Sequence, residues 1–357
     1  MSVRRVLVLE SQTPFVHGGA EILVRELAAA LRRHGYETDI VSVPFRDTPH
    51  DELMAHAAVW RLLDVSHAAQ RPVDLVIPTK FPTYFVRHPR KVAWLVHQHR
   101  AAYELCGTPF SDFDHTEADV GLRKRLIALD TAMLGECAGV FTIARTVSER
   151  LAKYNGIDAE PLYSPPKLAP QLRPGPYGEY VVTVTRLEHV KRVDLAIDAF
   201  QHVAATMRLV IAGEGTARAS LERRIAALGL DRRITLLGRI PDEELIALYS
   251  GARALLFTPF DEDYGYVTLE AFLSRKPVVT TTDAGGPLEF VRDGVNGLVA
   301  EPQAIAVAEA VNRLGADTRL AARLGEAGYE RARGITWDAV VERLVHAAGA
   351  PAAPAAT

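Results

Sequence analysis

Short apolar runs bounded by glycine, proline and polar residues alternate along the chain with longer stretches in which apolar residues recur every three or four positions. The first pattern is that of a buried strand and the second that of an amphipathic helix. In the first half, strands are predicted at 6–9, 38–43, 74–77, 92–96 and 140–143, with helices over 20–33, 51–67, 118–134 and 147–154. Gly35 is placed to end the first helix. Prolines then crowd 164–178 and forbid helix and ladder alike, which predicts a linker. Beyond it the alternation starts afresh, with strands at 180–184, 208–212, 234–237, 254–257, 278–280 and 298–299. Helices fall near 193–203, 217–228, 243–250, 267–274, 288–291 and 304–314, with Asp242 as an N-cap.

Strands that alternate with helices predict an α/β chain of two Rossmann-like, doubly wound domains facing across a cleft. The expected division is 1–163, the linker 164–178, a second domain over 179–335, an amphipathic helix over 336–348 and a disordered tail over 349–357. A length of 357 residues agrees, since it exceeds what one core supports. With 48% hydrophobic and 24% charged residues the composition is that of a soluble protein, and a net charge of −3 gives no argument for nucleic acid as a partner. Cys106 and Cys137 have neither metal nor redox spacing and suit a reducing compartment. The amino terminus runs directly into a strand and no apolar run reaches bilayer length, so a cytoplasmic protein without signal peptide is expected. The basic clusters Arg87, Arg90, Lys91 and Arg123, Lys124, Arg125 read as solvated surface, with weak peripheral membrane contact as the lesser alternative.

The chemistry concentrates at 255–270. An apolar strand ends at Pro259, a polar loop follows, and a helix starts near Val267. Glu262 and Glu270 bracket this loop, and the N–H groups between them, at Tyr264, Gly265, Tyr266 and Val267, are placed to meet an anion. An anion with a hydroxyl-bearing group on either side outlines a sugar nucleotide. After the first strand of this half come Arg186 and Lys191, two cations suited to the charge that grows on a departing diphosphate.

The spacing of Glu262 and Glu270, with Gly265 after an aromatic residue, resembles the signature of retaining glycosyltransferases of family 4. The resemblance covers nearly the full chain and is strongest over 180–299. It implies the GT-B fold, with the last helix crossing back over the first domain, and transfer of a hexose from a nucleotide-diphosphate sugar to a hydroxyl acceptor. Glu262 would then hold donor-sugar hydroxyls, Glu270 the ribose, Arg186 and Lys191 the diphosphate, and His97 the sugar and its phosphate. Gly18 and Gly19, within the string His17 to Glu21, would approach the diphosphate and acceptor. Gly213 and Gly215 would lie near the nucleotide, and the main chain at Arg239 and Ile240 would touch the base. Thr185 and Arg192 stand where the family usually has glycines.

The aromatic and acidic loop over 99–119 is assigned part of acceptor recognition. His97 and His99 could instead ligate a metal but lack a third ligand in register. The pairs Asp261/Asp263 and Asp112/Asp114 match a metal-nucleotide motif of another architecture. They are discounted because Arg186 and Lys191 already supply positive charge, so neither metal nor cofactor is expected. The rival readings are a sugar-nucleotide epimerase or hydrolase, and a non-catalytic sugar-nucleotide-binding subunit.

Overall fold

The computed structural model describes residues 3–15 and 18–349. His17 and the tail beyond 349 therefore lie outside the described residues. Contacts divide the chain into two units: Pro165–Ile335 is one, and Met1–Ser164 with Thr336–Thr357 is the other.

In the first unit the strands are β1 (Arg5–Gln12), β2 (Glu37–Pro44), a short hairpin β3 (His67–Ala68) and β4 (Arg71–Pro72), β5 (Leu75–Pro78), β6 (Val92–Leu95), β7 (Gly139–Thr142) and β8 (Glu160–Pro161). Helices α1 (Gly19–Arg33), α2 (Leu53–Leu62), α3 (Glu117–Gly135) and α4 (Arg145–Asn155) separate them. Two parallel sheets result, β2-β1-β5 and β6-β7-β8. A parallel bridge between Val76 and Lys91 is the link from β5 to β6. The expected helix over 51–67 stops at Leu62, because the Asp64 carboxylate accepts from the Ser66 N–H at 2.9 Å and offers the backbone a turn instead.

In the second unit one parallel sheet runs β11-β10-β9-β12-β13-β14. Its strands are β9 (Tyr180–Val184), β10 (Arg208–Ala212), β11 (Ile234–Gly238), β12 (Ala254–Leu256), β13 (Val278–Thr281) and β14 (Gly297–Ala300). The helices are α5 (Val193–Ala199), α6 (Arg218–Ala227), α7 (Asp242–Gly251), α8 (Tyr266–Leu273), the single turn α9 (Pro287–Phe290), α10 (Ala304–Ala316) and α11 (Thr318–Ala332). Chain order builds outward from β9 to β11, then returns to the other side of β9 with β12. The order reverses there, and the carboxyl ends of β9 and β12 open onto the crevice where such sheets bind ligands.

Helix α11 has no counterpart in the apolar pattern, because its buried stripe is mostly Ala321, Gly325, Gly328 and Ala332 with Leu324. These small residues let it lie against α8: a Cβ on Gly328 would stand 2.2 Å from the Phe272 ring. Asp242 is the first residue of α7 rather than its N-cap, a place taken by Pro241, and its carboxylate meets Lys167 at 2.6 Å. The segment at 165–178 is fastened to the second unit by Lys276, whose buried ammonium donates to the Gly175 and Pro176 carbonyls at 2.9 and 2.8 Å. The last helix, α12 (Trp337–Ala347), packs on α1 and β6, with Trp337 edge-on to Trp94 at 6.0 Å. Among the described residues no helix is long and apolar enough to cross a membrane.

Gly328→Ala is expected to destabilise the protein by about 1–3 kcal/mol, the cost of overpacking a filled contact. Urea unfolding followed by circular dichroism measures this, and an unchanged midpoint would show that α11 and α8 can separate freely.

Candidate active site at the reversal of strand order

Three loops meet at the reversal. The loop after β9 carries Arg186 and a 3₁₀ turn, His189–Lys191, before Arg192 opens α5. The loop after β12 carries Glu262 and leads through Gly265 into α8, and the loop after β13 carries Asp283 to Gly286. Main-chain hydrogen bonds stitch them together: Phe260 N–H to the Val190 carbonyl (2.8 Å), Asp261 N–H to Asp283 (2.9 Å), Glu262 N–H to Ala284 (2.8 Å) and Gly286 N–H to Glu262 (2.7 Å). The chains pass so closely that a Cβ on Gly285 or Gly286 would lie 2.6 or 2.4 Å from the carbonyl oxygens of Glu262 or Asp263. Those two glycines are thus required by packing, and Gly285 also by its φ of +73.

Within this frame the Lys191 ammonium is hydrogen-bonded to the Glu262 carboxylate. Both side chains are largely withdrawn from solvent, at 10% and 15% exposure. Such a pair survives burial because the attraction between the two charges offsets part of the cost of desolvating them. Arg186 is exposed, with no ion pair among the described residues, so its charge faces solvent. Glu270, on α8, accepts a hydrogen bond from the buried Tyr249 hydroxyl at 2.8 Å. Burial pushes its carboxyl up to about 7, and the Tyr249 bond only partly offsets this.

The remaining predicted residues divide by what they touch. Tyr264 is a core residue, its ring edge-on to Tyr266 at 4.7 Å and to Phe290 at 5.3 Å. Gly265 has φ +76 and starts α8, while Tyr266 and Val267 in the first turn are half-buried. Gly213 and Gly215 bring the end of β10 against the loop after β9: added Cβ atoms would meet the Thr185 carbonyl at 1.8 Å and the Leu187 carbonyl at 2.5 Å. Arg239 is exposed and Ile240 half-buried beyond β11. In the first unit, Gly18 gives its N–H to the Glu21 carboxylate at 2.9 Å and Gly19 begins α1. Glu21 in turn pairs with Lys80 at 2.9 Å. His97 follows β6, with Nδ1 2.6 Å from the Gln98 carbonyl, which makes Nδ1 the protonated nitrogen. Among the described residues no three His, Cys, Asp or Glu side chains gather as a metal ion requires.

Several residues escaped the sequence reading. Tyr249 lies on α7, 21 positions before the carboxylate it serves, with no local signal of that role. Glu214 and Arg218 converge over Gly238, where an added Cβ would stand 3.4 and 3.3 Å from their side chains. Arg192 showed only as a departure from glycine, yet its guanidinium forks onto Asp283.

Residues 168–331 match the family described as glycosyl transferases group 1. This chain carries a group 1 glycosyl transferase domain. An uncharacterized glycosyltransferase of Methanocaldococcus jannaschii is 24% identical over 334 residues, 81% of this chain and 83% of that protein. Human alpha-1,3/1,6-mannosyltransferase is 27% identical over 169 residues, 43% of this chain and 40% of that protein. Among solved structures, the sucrose-phosphate synthase of Thermosynechococcus elongatus has a TM-score of 0.80 at 18% identity, over 96% of this chain and 98% of that one. The Anabaena Alr3699/HepE protein, in complex with UDP and glucose, has a TM-score of 0.71 at 17% identity over the same shares. The fold of this glycosyltransferase is therefore GT-B.

The raised Glu270 carboxyl has a consequence for stability. A folded-state value of about 7 against an ordinary 4.5 means that the folded chain holds its proton more tightly than the unfolded one. Its contribution is full below the ordinary value and is lost as pH rises toward the folded value. Glu270→Gln should therefore raise the melting temperature at pH 8, by an amount equivalent to about 3 kcal/mol, and leave it nearly unchanged at pH 4. Equal melting curves for the two proteins at pH 8 would contradict the buried-acid assignment.

Proposed function

We propose that this glycosyltransferase moves a hexose from a UDP- or GDP-linked donor to an acceptor hydroxyl with retention at the anomeric carbon. The acceptor is a saccharide, lipid-linked saccharide or small molecule, as in polysaccharide, glycolipid or glycosylated natural-product synthesis. The observation that carries this reading is the Lys191–Glu262 pair at the strand-order reversal. In the proposed reaction the bond from the anomeric carbon to the diphosphate oxygen breaks, and both electrons leave with the diphosphate. The acceptor oxygen bonds to the same face and passes its proton to the departing diphosphate oxygen. Lys191 and the exposed Arg186 stabilise the charge on the departing group, so the reading assigns no metal. As the ammonium turns from Glu262 to phosphate oxygen, the freed carboxylate accepts from the sugar hydroxyls. Glu270 accepts from the ribose hydroxyls, best when ionised. The UDP and glucose bound by the Anabaena protein support a nucleotide sugar as donor.

A panel of UDP and GDP sugars, screened first by thermal shift and then for transfer with and without acceptors, tests this reading. Free sugar or an epimer formed at full rate without acceptor would favour the hydrolase or epimerase instead, and binding without turnover a silent subunit. With the active donor, Lys191→Ala should lower turnover by roughly two to three orders of magnitude. Near-normal turnover would remove the leaving-group role from Lys191.

A further inference from the structure

Arg192 sits immediately after Lys191 in the left-handed region, with φ 47 and ψ 43. A side chain there is strained, and glycine would adopt this conformation at little cost. What offsets the strain is visible in the guanidinium. Its Nε donates to the Thr258 carbonyl at 3.0 Å, and Nη2 donates to the Pro259 carbonyl at 2.8 Å and to the Thr281 hydroxyl at 3.0 Å. The two terminal nitrogens fork onto the Asp283 carboxylate at 2.7 and 2.6 Å. The Thr258 hydroxyl returns a bond to the Arg192 carbonyl at 3.1 Å. One side chain thus joins the loops after β9, β12 and β13. The strands of the last two lie side by side with β9 in the sheet.

Lys191 is the neighbour of Arg192 in sequence, and Glu262 follows three residues after Pro259, which Arg192 holds. Asp283, the other end of the fork, also holds this loop from its far side by accepting the Asp261 N–H at 2.9 Å. The guanidinium is committed to acceptors on the loops themselves, and the side chain is only 16% exposed. Lysine could not replace it, because a single ammonium cannot hold a carboxylate in a fork while reaching two carbonyls.

We propose that Arg192 is a positioning residue: its clamp on Thr258, Pro259 and Asp283 sets the distance between the Lys191 ammonium and the Glu262 carboxylate. This deepens the transfer reading and rests on it. A clamp of this kind acts after the donor has bound, by keeping the ammonium within reach of the diphosphate to which it turns. Its loss is therefore read in turnover more than in donor affinity.

The test compares wild type, Arg192→Gly and Arg192→Lys, each alone and in the Lys191→Ala background. Glycine relieves the left-handed backbone, so Arg192→Gly should melt within a few degrees of wild type, and Arg192→Lys keeps the charge without the fork. Calorimetry with UDP and GDP on the wild type checks the underlying reading separately. If neither binds and no donor is turned over, that reading fails and the positioning role with it. If the wild type is active, Arg192→Gly should lower kcat about 10- to 100-fold with the donor KM changed less than about threefold, and Arg192→Lys should not restore it. In the Lys191→Ala background the same substitution should cost less than threefold, since the group it positions is gone. Wild-type kcat in Arg192→Gly would overturn the proposal. So would an equal loss in both backgrounds, or a loss matched by the unfolded fraction at the assay temperature.

Discussion

A lysine and a glutamate withdrawn from water are tolerable only together, and the surroundings of Lys191 and Glu262 follow from that constraint. Neither charge could be left in place if its partner moved away without a replacement. The peptide groups around them are accordingly tied to one another, with the loop after β12 hydrogen-bonded to the loop after β9 on one side and to the loop after β13 on the other. A pair held in this way has already lost most of its hydration. On the proposed transfer reading, an arriving anion and sugar hydroxyls would take over the two charges without the full cost of dehydrating them afresh.

The same crowding explains why glycine is used so selectively here. Gly213, Gly215, Gly285 and Gly286 each stand where a Cβ would strike a neighbouring carbonyl. Arg192 has the backbone conformation that glycine favours but no such obstruction, and its side chain fills a cluster of acceptors instead. Local strain is thereby exchanged for a link between loops. Glu270 shows a related exchange, since its carboxyl sits under cover with one tyrosine hydroxyl for company, at a cost to stability once it ionises.

The first unit uses its polar groups differently. Glu21 is occupied by Gly18 and Lys80, and Lys91 is buried among the Tyr84, Val86 and Met133 carbonyls with Glu136 beside it. Lys91 had been counted with a solvated basic cluster, and the structure removes it from that surface. Asp130, fully buried beneath the Tyr103 hydroxyl at 2.6 Å, is pushed up to about 7 by burial. These contacts hold the sheets and helices of the unit together, and they account for most of its buried charge.

Composition and periodicity alone determined the alternation of strand and helix, because burying one face of an element leaves a repeat of two or nearly four in the chain itself. They also placed Arg186, Lys191 and Glu262 in loops at strand ends and Glu270 at the start of a helix, because glycines, prolines and apolar runs mark those ends. Helix α11 was hidden because alanine and glycine carry too little hydrophobic contrast to write a stripe, although they pack α8 closely. Which charges meet was decided only by the tertiary structure. The partner of Lys191 lies 71 positions away, that of Arg192 91 positions away and that of Glu270 21. Pairings at such separations are set by which strands lie side by side, and parallel strand order is a property of the whole sheet that no stretch of sequence contains.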